Sequence, residues 1–338
     1  MPKAPHIYRW DMDKTYLKTD FDTIKDLIKT AFQRPADKAN VPGSADLLKA
    51  VRMDAAGNAE IYFISGSPKQ MRGVLSQKLQ LDGIDFDGFV LKDNLRNLLR
   101  GRFRAIKEQV GYKLPALLRA RAKADTESGE TLFGDDAERD AFVYSLYADL
   151  LAERVAPDVL EEVLNIAGVY PDGRESIYAA LDHLSPCDPV ERIIIHLDRK
   201  SPPIRFEAYG SRVVPVYNYF QAALTLFGDG RLKANTTIRI GIALHRSFDF
   251  SVDVLLRSFQ DMLRRGALNL ETAQRLVDEV CDDETNEALV VAIKNSLAGP
   301  LVRLGTAIPP VVPDFPSLLR RELQRHRFEK SRRRRGWF

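Results

Sequence analysis

Apolar positions along this 338-residue chain follow two rhythms that replace one another. Short β-rich runs stop abruptly at polar turns: His6-Ile7-Tyr8-Arg9-Trp10, "AEIYFIS" at 59 to 65, a stretch near "FDGFVL", "ETLFGDD", and "VERIIIHL" at 190 to 197, taken as the final strand. Between them, apolar residues recur at helical spacing. "DFDTIKDLIKTAFQ" places Phe21, Ile24, Leu27, Ile28 and Phe32 on one face, with Thr19 and Asp22 near its start. "SADLLKAVRM" predicts another helix, "PKQMRGVLSQKLQL" one opened by Pro68, residues 93 to 110 a basic helix, and a further helix begins near Lys113. Strands that alternate with helices predict an α/β fold, a doubly wound parallel sheet covered on both faces, with all strand ends gathered at one rim.

Later the rhythm becomes purely helical. Residues 151 to 188 form a helical insertion, and "VDVLLRSFQDMLRRG", "ETAQRLVDEV" and "EALVVAIKNSLAG" each carry an apolar stripe. "IPPVVPDFP" is an extended connector into a basic end. The expected organisation is a domain over 1–235 holding the sheet, a smaller helical domain over 236–316, and a basic tail over 317–338.

An apolar content of 45% supplies ample core. The two cysteines, Cys187 and Cys281, lie far apart and lack partners at metal-ligand spacing, which suits buried thiols in a reducing cytoplasm. The amino-terminal stretch has no apolar leader, and "ALVVAI" is far shorter than the roughly 20 residues a membrane span needs, so a cytoplasmic protein is expected. Charge is uneven. From Ser317 onward nine basic residues face two acidic ones, giving +7 in a chain of net +3, so the first 316 residues carry −4. The tail is therefore expected to dock on a polyanion, and an anionic membrane surface is favoured over nucleic acid because no nucleic-acid reading motif accompanies it. A solvated, solubilising end is the simpler alternative.

The segment "YRWDMDKTYL" carries the candidate chemistry. Its plainest reading is a polar turn with a capping threonine. The sharper one places Asp11 and Asp13 at the carboxyl end of a buried strand, where open α/β sheets bind ligands. Phosphoryl transfer needs a nucleophile, neutralisation of the phosphoryl oxygens and a proton donor for the leaving group. Asp11 can attack, and Asp13 can act as acid and then base. Mg²⁺ asks for one or two further carboxylates, which "GDDAERD" offers as Asp135, Asp136 and Asp140. Ser65 can donate to a phosphoryl oxygen, and Lys113 can supply fixed positive charge, with Lys107 as its competitor. The five histidines show no ligand spacing and are read as structural.

The order Asp-Met-Asp-Lys-Thr, Ser65 after a strand, a lysine, and a strand into Gly134-Asp135-Asp136 resembles the signature of the haloacid dehalogenase-like hydrolases. More narrowly, "FISGSPKQM", "YKLPALL", "LFGDDAERDAFVY" and "YNYFQAALTLFGDGRL" resemble the catalytic domain of actin-patch-type phosphatidate phosphatases, over residues 6 to about 232. The resemblance implies a Mg²⁺-dependent phosphatase acting on a phosphomonoester, a phosphatidate-like lipid phosphate among them. Asp11 would be nucleophile, Asp13 acid/base, and Ser65 and Lys113 phosphate contacts, with Thr15 and Gly66 beside them. Asp135 would join Asp11 and Asp13 at the metal, supported by Asp140 or, failing that, Asp136. The family usually shows Asp-Ile-Asp-Asp-Thr and Gly-Asp-Ser-Gly-Glu-x-Asp, whereas this chain has Lys14 and "GDDAERD". The alternative is a catalytically weak binding module for anionic lipid or nucleic acid built on the same fold. In this superfamily large caps follow the first strand or precede the lysine. Residues 16 to 58 and 66 to 112 read as ordinary helices and a strand, which points to an open site.

Overall fold

Strand formation follows the β-rich runs. The computed structural model describes residues 4–18, 39–68, 71–92, 109–281, 287–299 and 304–334. Six strands, β1 (His6–Asp11), β2 (Ala59–Pro68), β3 (Gly88–Lys92), β4 (Glu130–Asp135), β5 (Val190–His196) and β6 (Val213–Val216), form one sheet in the order β3-β2-β1-β4-β5-β6. Every neighbouring pair is parallel. This is a doubly wound, Rossmann-like arrangement, and its order reverses between β1 and β4, where such sheets open a crevice at their carboxyl ends.

Period-two alternation decides what each face of β1 meets. Tyr8 and Trp10 point into a cluster with Phe63 and Phe133, and Trp10 stacks on Phe133 with ring centroids 3.9 Å apart. That face is covered by α1 (Ser44–Asp54) and α2 (Arg72–Leu81), and by α7 (Tyr219–Gly228), α8 (Ala234–Ser247), α9 (Val252–Arg264), α10 (Leu270–Asp278) and α11 (Ala288–Ala298). The helices expected as a second domain thus share one buried cluster with the sheet. The opposite face, with Ile64, Leu132, Ile193 and Ile195, is covered by α3 (Val110–Arg121), α4 (Asp140–Leu151), α5 (Pro157–Ala167), α6 (Pro171–Leu181) and α12 (Phe315–Arg334). Ile7, Arg9 and Asp11 belong to this second face, so the elements able to reach Asp11 are α3 and α4.

Arg9 is 2% exposed and Glu130 fully buried, which charged residues tolerate only when paired. Arg9 Nε and Nη2 donate to the two Glu130 oxygens at 2.9 and 2.7 Å, Tyr147 Oη donates to Glu130 at 2.9 Å, and Arg121 lies 3.4 Å away. This knot fixes β1 against β4 and both helices.

Two expectations are corrected. "VERIIIHL" is not the last strand, because Val213–Val216 adds an edge strand whose Pro215 an edge position tolerates. Pro68 closes β2 instead of opening the following helix, which starts at Arg72. Residues 315 to 334 are helical, with Phe315, Leu318 and Leu319 buried. The helix expected in "DFDTIKDLIKTAFQ" and the basic helix over 93–108, with Lys107, lie outside the described residues, as does part of the region weighed for a cap. Among the described residues no helix is long and apolar enough to cross a membrane.

Candidate active site

The carboxyl ends of β1, β2, β4 and β5 bring Asp11, Ser65, Asp135 and His196 to one rim. Asp11 is the last residue of β1 and 1% exposed. From α3, Lys113 enters with its Nζ buried and donates to Asp11 Oδ1 at 2.8 Å, to Glu138 Oε2 at 2.8 Å and to Asp140 Oδ1. Asp11 Oδ2 is left facing Thr15 Oγ1 at 3.5 Å, a weak contact. One oxygen of the carboxylate is thus held and the other is turned toward the loop.

The loop after β1 turns sharply. Lys14 sits in the left-handed region at φ 61°, a costly conformation for a lysine and one an aspartate or asparagine adopts more readily. Its carbonyl oxygen lies 3.0 Å from His196 Nδ1, and the next carbonyl, of Thr15, accepts from Tyr219 Oη at 2.5 Å. Ser65 Oγ donates to Asp13 Oδ2 at 3.1 Å. Ser65 therefore reaches the second aspartate of the loop. A side chain added at Gly66 would meet no described atom within 4 Å. Tyr112, beside Lys113, donates to the Ser65 carbonyl at 2.6 Å and ties α3 to the end of β2.

"GDDAERD" forms the turn from β4 into α4. Asp135 Oδ1 accepts from the amides of Ala137 and Glu138, while Asp135 Oδ2 is buried with no hydrogen-bond partner among the described residues. Asp140, the first residue of α4, is saturated: Oδ1 takes Lys113 and Oδ2 takes the Asp135 amide at 3.2 Å. Gly134 is required by this packing, since a Cβ there would collide with the Asp140 side chain. Asp136 points elsewhere. Its oxygens accept from the amides of Arg199 and Ser201 at 2.8 and 2.9 Å, anchoring the loop after β5.

Electrostatics follow from burial. Burial raises the Asp11 carboxyl well above its ordinary value, against the pull of Lys113, and Asp140, Glu138 and Asp135 add to the rise. Asp135 is raised by burial and then by Asp140 and Glu138, and Asp140 is raised by burial to about 6. For Lys113, burial alone would favour the neutral amine, but Asp11, Asp140 and Glu138 outweigh it and hold the ammonium. Four carboxylates, from Asp11, Asp135, Glu138 and Asp140, gather near one ammonium, with Asp13 on the loop after β1.

That excess fits a hard divalent cation. The ligand oxygens of Asp11, Glu138 and Asp140 lie within 4.8 Å of one another. Since Lys113 Nζ bonds all three residues, the centre of that trio holds the lysine. The unpartnered Asp135 Oδ2, with Asp11, is the better-suited donor pair, and it supplies what a cation would satisfy. Sequence reasoning missed Glu138, although it stands inside the quoted acidic stretch, and missed Tyr112, His196 and Tyr219, whose types alone gave no signal.

Residues 10–159 match the family described as "Phosphatidate phosphatase APP1, catalytic domain". The match begins at the last two residues of β1 and runs through β4 and α4, so it includes all the carboxylates above, and it makes the enzyme a hydrolase of the phosphoric monoester class. No match was found among curated proteins or among solved structures.

Proposed function

We propose that this protein is a Mg²⁺-dependent phosphatase of the haloacid dehalogenase-like type that hydrolyses a phosphatidate-like lipid phosphate through an aspartyl-phosphate on Asp11. The observation that carries the reading is the division of labour at the rim: Lys113 holds Asp11 Oδ1 while Oδ2 is turned to the loop, and at the end of the neighbouring strand β4 a buried Asp135 oxygen has no partner among the described residues. Asp11 Oδ2 attacks phosphorus in line, forming the carboxyl–phosphorus bond as the bond to the alcohol oxygen breaks. Asp13 gives its proton to the departing oxygen, then takes one from the water that attacks the phosphoenzyme and frees phosphate. Ser65, hydrogen-bonded to Asp13, orients that acid and lies where a phosphoryl oxygen would accept from it. Lys113 pulls against the burial that raises the Asp11 carboxyl and so favours its ionised form. A divalent cation held by Asp11 and Asp135, with the Asp13 backbone, would offset the charge of the phosphoryl oxygens.

Release of phosphate from phosphatidate and from p-nitrophenyl phosphate, with and without Mg²⁺, tests this. Asp11→Asn should lower turnover of both by about a thousandfold or more while the protein stays folded. Wild-type-like turnover in that variant, or none in the parent protein with Mg²⁺, overturns the reading in favour of a binding module.

A further inference from the structure

An ammonium has three N–H donors, and Lys113 has engaged all of them. They go to Asp11 Oδ1 and Glu138 Oε2 at 2.8 Å each and to Asp140 Oδ1. With these partners in place the lysine side chain is 0% exposed. A phosphoryl oxygen can therefore accept from Nζ only after a carboxylate has left it. The carboxylates are not equally free to leave. Asp11 closes β1 and Asp140 opens α4, and their side chains are 1% and 0% exposed. Asp140 is also held through Oδ2 by the Asp135 amide. Glu138 stands in the turn between β4 and α4, and its side chain is 26% exposed.

Backbone and electrostatics favour the same group. The Glu138 amide donates to Asp135 Oδ1 at 2.8 Å, so the peptide stays anchored while the side chain rotates. Rotation toward solvent lets this carboxylate regain hydration, which Asp11 and Asp140 could do only if a strand or a helix moved. A phosphomonoester carries about −1.5 to −2 charge near neutral pH, and four carboxylates against one ammonium repel it. Withdrawing Glu138 from Nζ takes one of those charges away from the lysine. The phosphoryl oxygen then exchanges one charge-assisted hydrogen bond for another.

We infer that Glu138 is a positioning residue that holds Lys113 in the resting site and yields it to a phosphoryl oxygen when a phosphate binds. The inference rests on the proposed function, which makes the rim a phosphate site, and deepens it by naming the group that the phosphate displaces. While Glu138 occupies Nζ, only the fraction of molecules with the lysine released can bind, and the apparent affinity falls by that fraction.

The probe is inorganic phosphate, titrated into the full-length protein with Mg²⁺ and followed by isothermal titration calorimetry, which needs no turnover. Glu138→Gln keeps the length and removes the charge. Glu138→Asp keeps the charge but, one methylene shorter, retracts it from Nζ. Both should bind phosphate about fivefold or more tightly than the parent protein. Unaltered or weaker binding in Glu138→Asp overturns the inference; beside a gain in Glu138→Gln, it leaves Glu138 as a charge that only repels the anion. Weaker binding in Glu138→Gln overturns it too, because a carboxylate that merely braces the site loosens it on removal. So does a Mg²⁺-induced rise in melting temperature that is present in the parent and lost in Glu138→Gln, which would place Glu138 on the cation. If Glu138→Asp fails to fold, Glu138→Gln is titrated in high salt, where repulsion is screened. A gain that persists there supports the exchange, and one that vanishes overturns it. Tighter binding in the variants without p-nitrophenyl phosphate hydrolysis by the parent supports the exchange and counts against the proposed function alone.

Discussion

His196 Nδ1 lies 3.0 Å from the carbonyl oxygen of Lys14, and joins the end of β5 to the loop that follows Asp11. A carbonyl only accepts, so Nδ1 carries the proton. With Tyr219 on the Thr15 carbonyl, His196 fixes two successive peptide planes of a left-handed turn.

This contact separates two isosteres. The amide nitrogen of Asn stands close to where Nδ1 stands, whereas that of Gln stands closer to Nε2. His196→Asn should keep most turnover, while His196→Gln should lose about tenfold in kcat with KM little changed, because the loop and not the binding charge is disturbed. Steady-state kinetics on a soluble ester decide it.

His196 also contributes to pH dependence. Burial lowers it from its ordinary 6.5, against the hydrogen bond to Lys14, so the folded protein takes up this proton later than the unfolded chain. Its stabilising contribution is complete above about 6.5 and is lost as pH falls from there through the folded value. Urea denaturation across that window should show a shallower acid decline in His196→Asn than in the parent protein.

Metal binding has a readout apart from turnover. If Asp135 Oδ2 is satisfied by a cation, Mg²⁺ should raise the melting temperature of the full chain and EDTA should reverse the rise. Asp135→Asn should abolish the shift, whereas Asp136→Asn should retain it, since Asp136 serves the loop after β5. Scanning calorimetry with and without Mg²⁺ distinguishes the two.

Lys113→Met leaves Asp11, Glu138 and Asp140 without their shared ammonium. Removing one partner from a buried ionic cluster costs about 3–5 kcal/mol, and turnover should disappear with it. The stability defect at neutral pH should shrink in mild acid, as the stranded carboxylates protonate. Denaturation midpoints at two pH values measure this.

Glu130→Gln addresses the knot between β1 and β4. Burial pushes Glu130 upward, but Arg9 and then Arg121 outweigh it and hold the carboxyl below its ordinary 4.5. Its contribution is full above that value and is lost as pH falls through the folded pKa. The variant should be less stable by about 3 kcal/mol at pH 7, and the gap should narrow below pH 4. An equal gap at both pH values would show that Glu130 acts through packing alone.

Much of this was legible in the sequence because two signals coincide. β1, β2, β4 and β5 are β-rich runs that end on functional side chains, and period two places Asp11 on the face that Lys113 reaches. Helix α8 was missed because Thr236, Thr237, Ile238, Ile240 and Ile242 are β-branched and alternate like a strand, yet tertiary packing overrides that preference: Gly241 lies against Phe220 and Leu289, and Ile238, Ile240 and Ile242 are buried in the same cluster. Strand β6 was missed because four residues with a central proline carry almost no pattern. Among the acids of "GDDAERD", composition does not tell which look inward. The turn geometry directs Asp135 and Asp140 to the cluster and sends Asp136 to a neighbouring loop.

The packing of α12 against α4 also bears on the order in which the protein is made. Phe315, Leu318 and Leu319 complete a cluster that Phe142 and Leu164 begin, and they leave the ribosome long after both. Until they emerge, the sheet face carrying α3 and α4 presents apolar surface without its last cover, which makes nascent chains prone to association. A chaperone that shields this face would act late in synthesis, well after every carboxylate of the rim had been made.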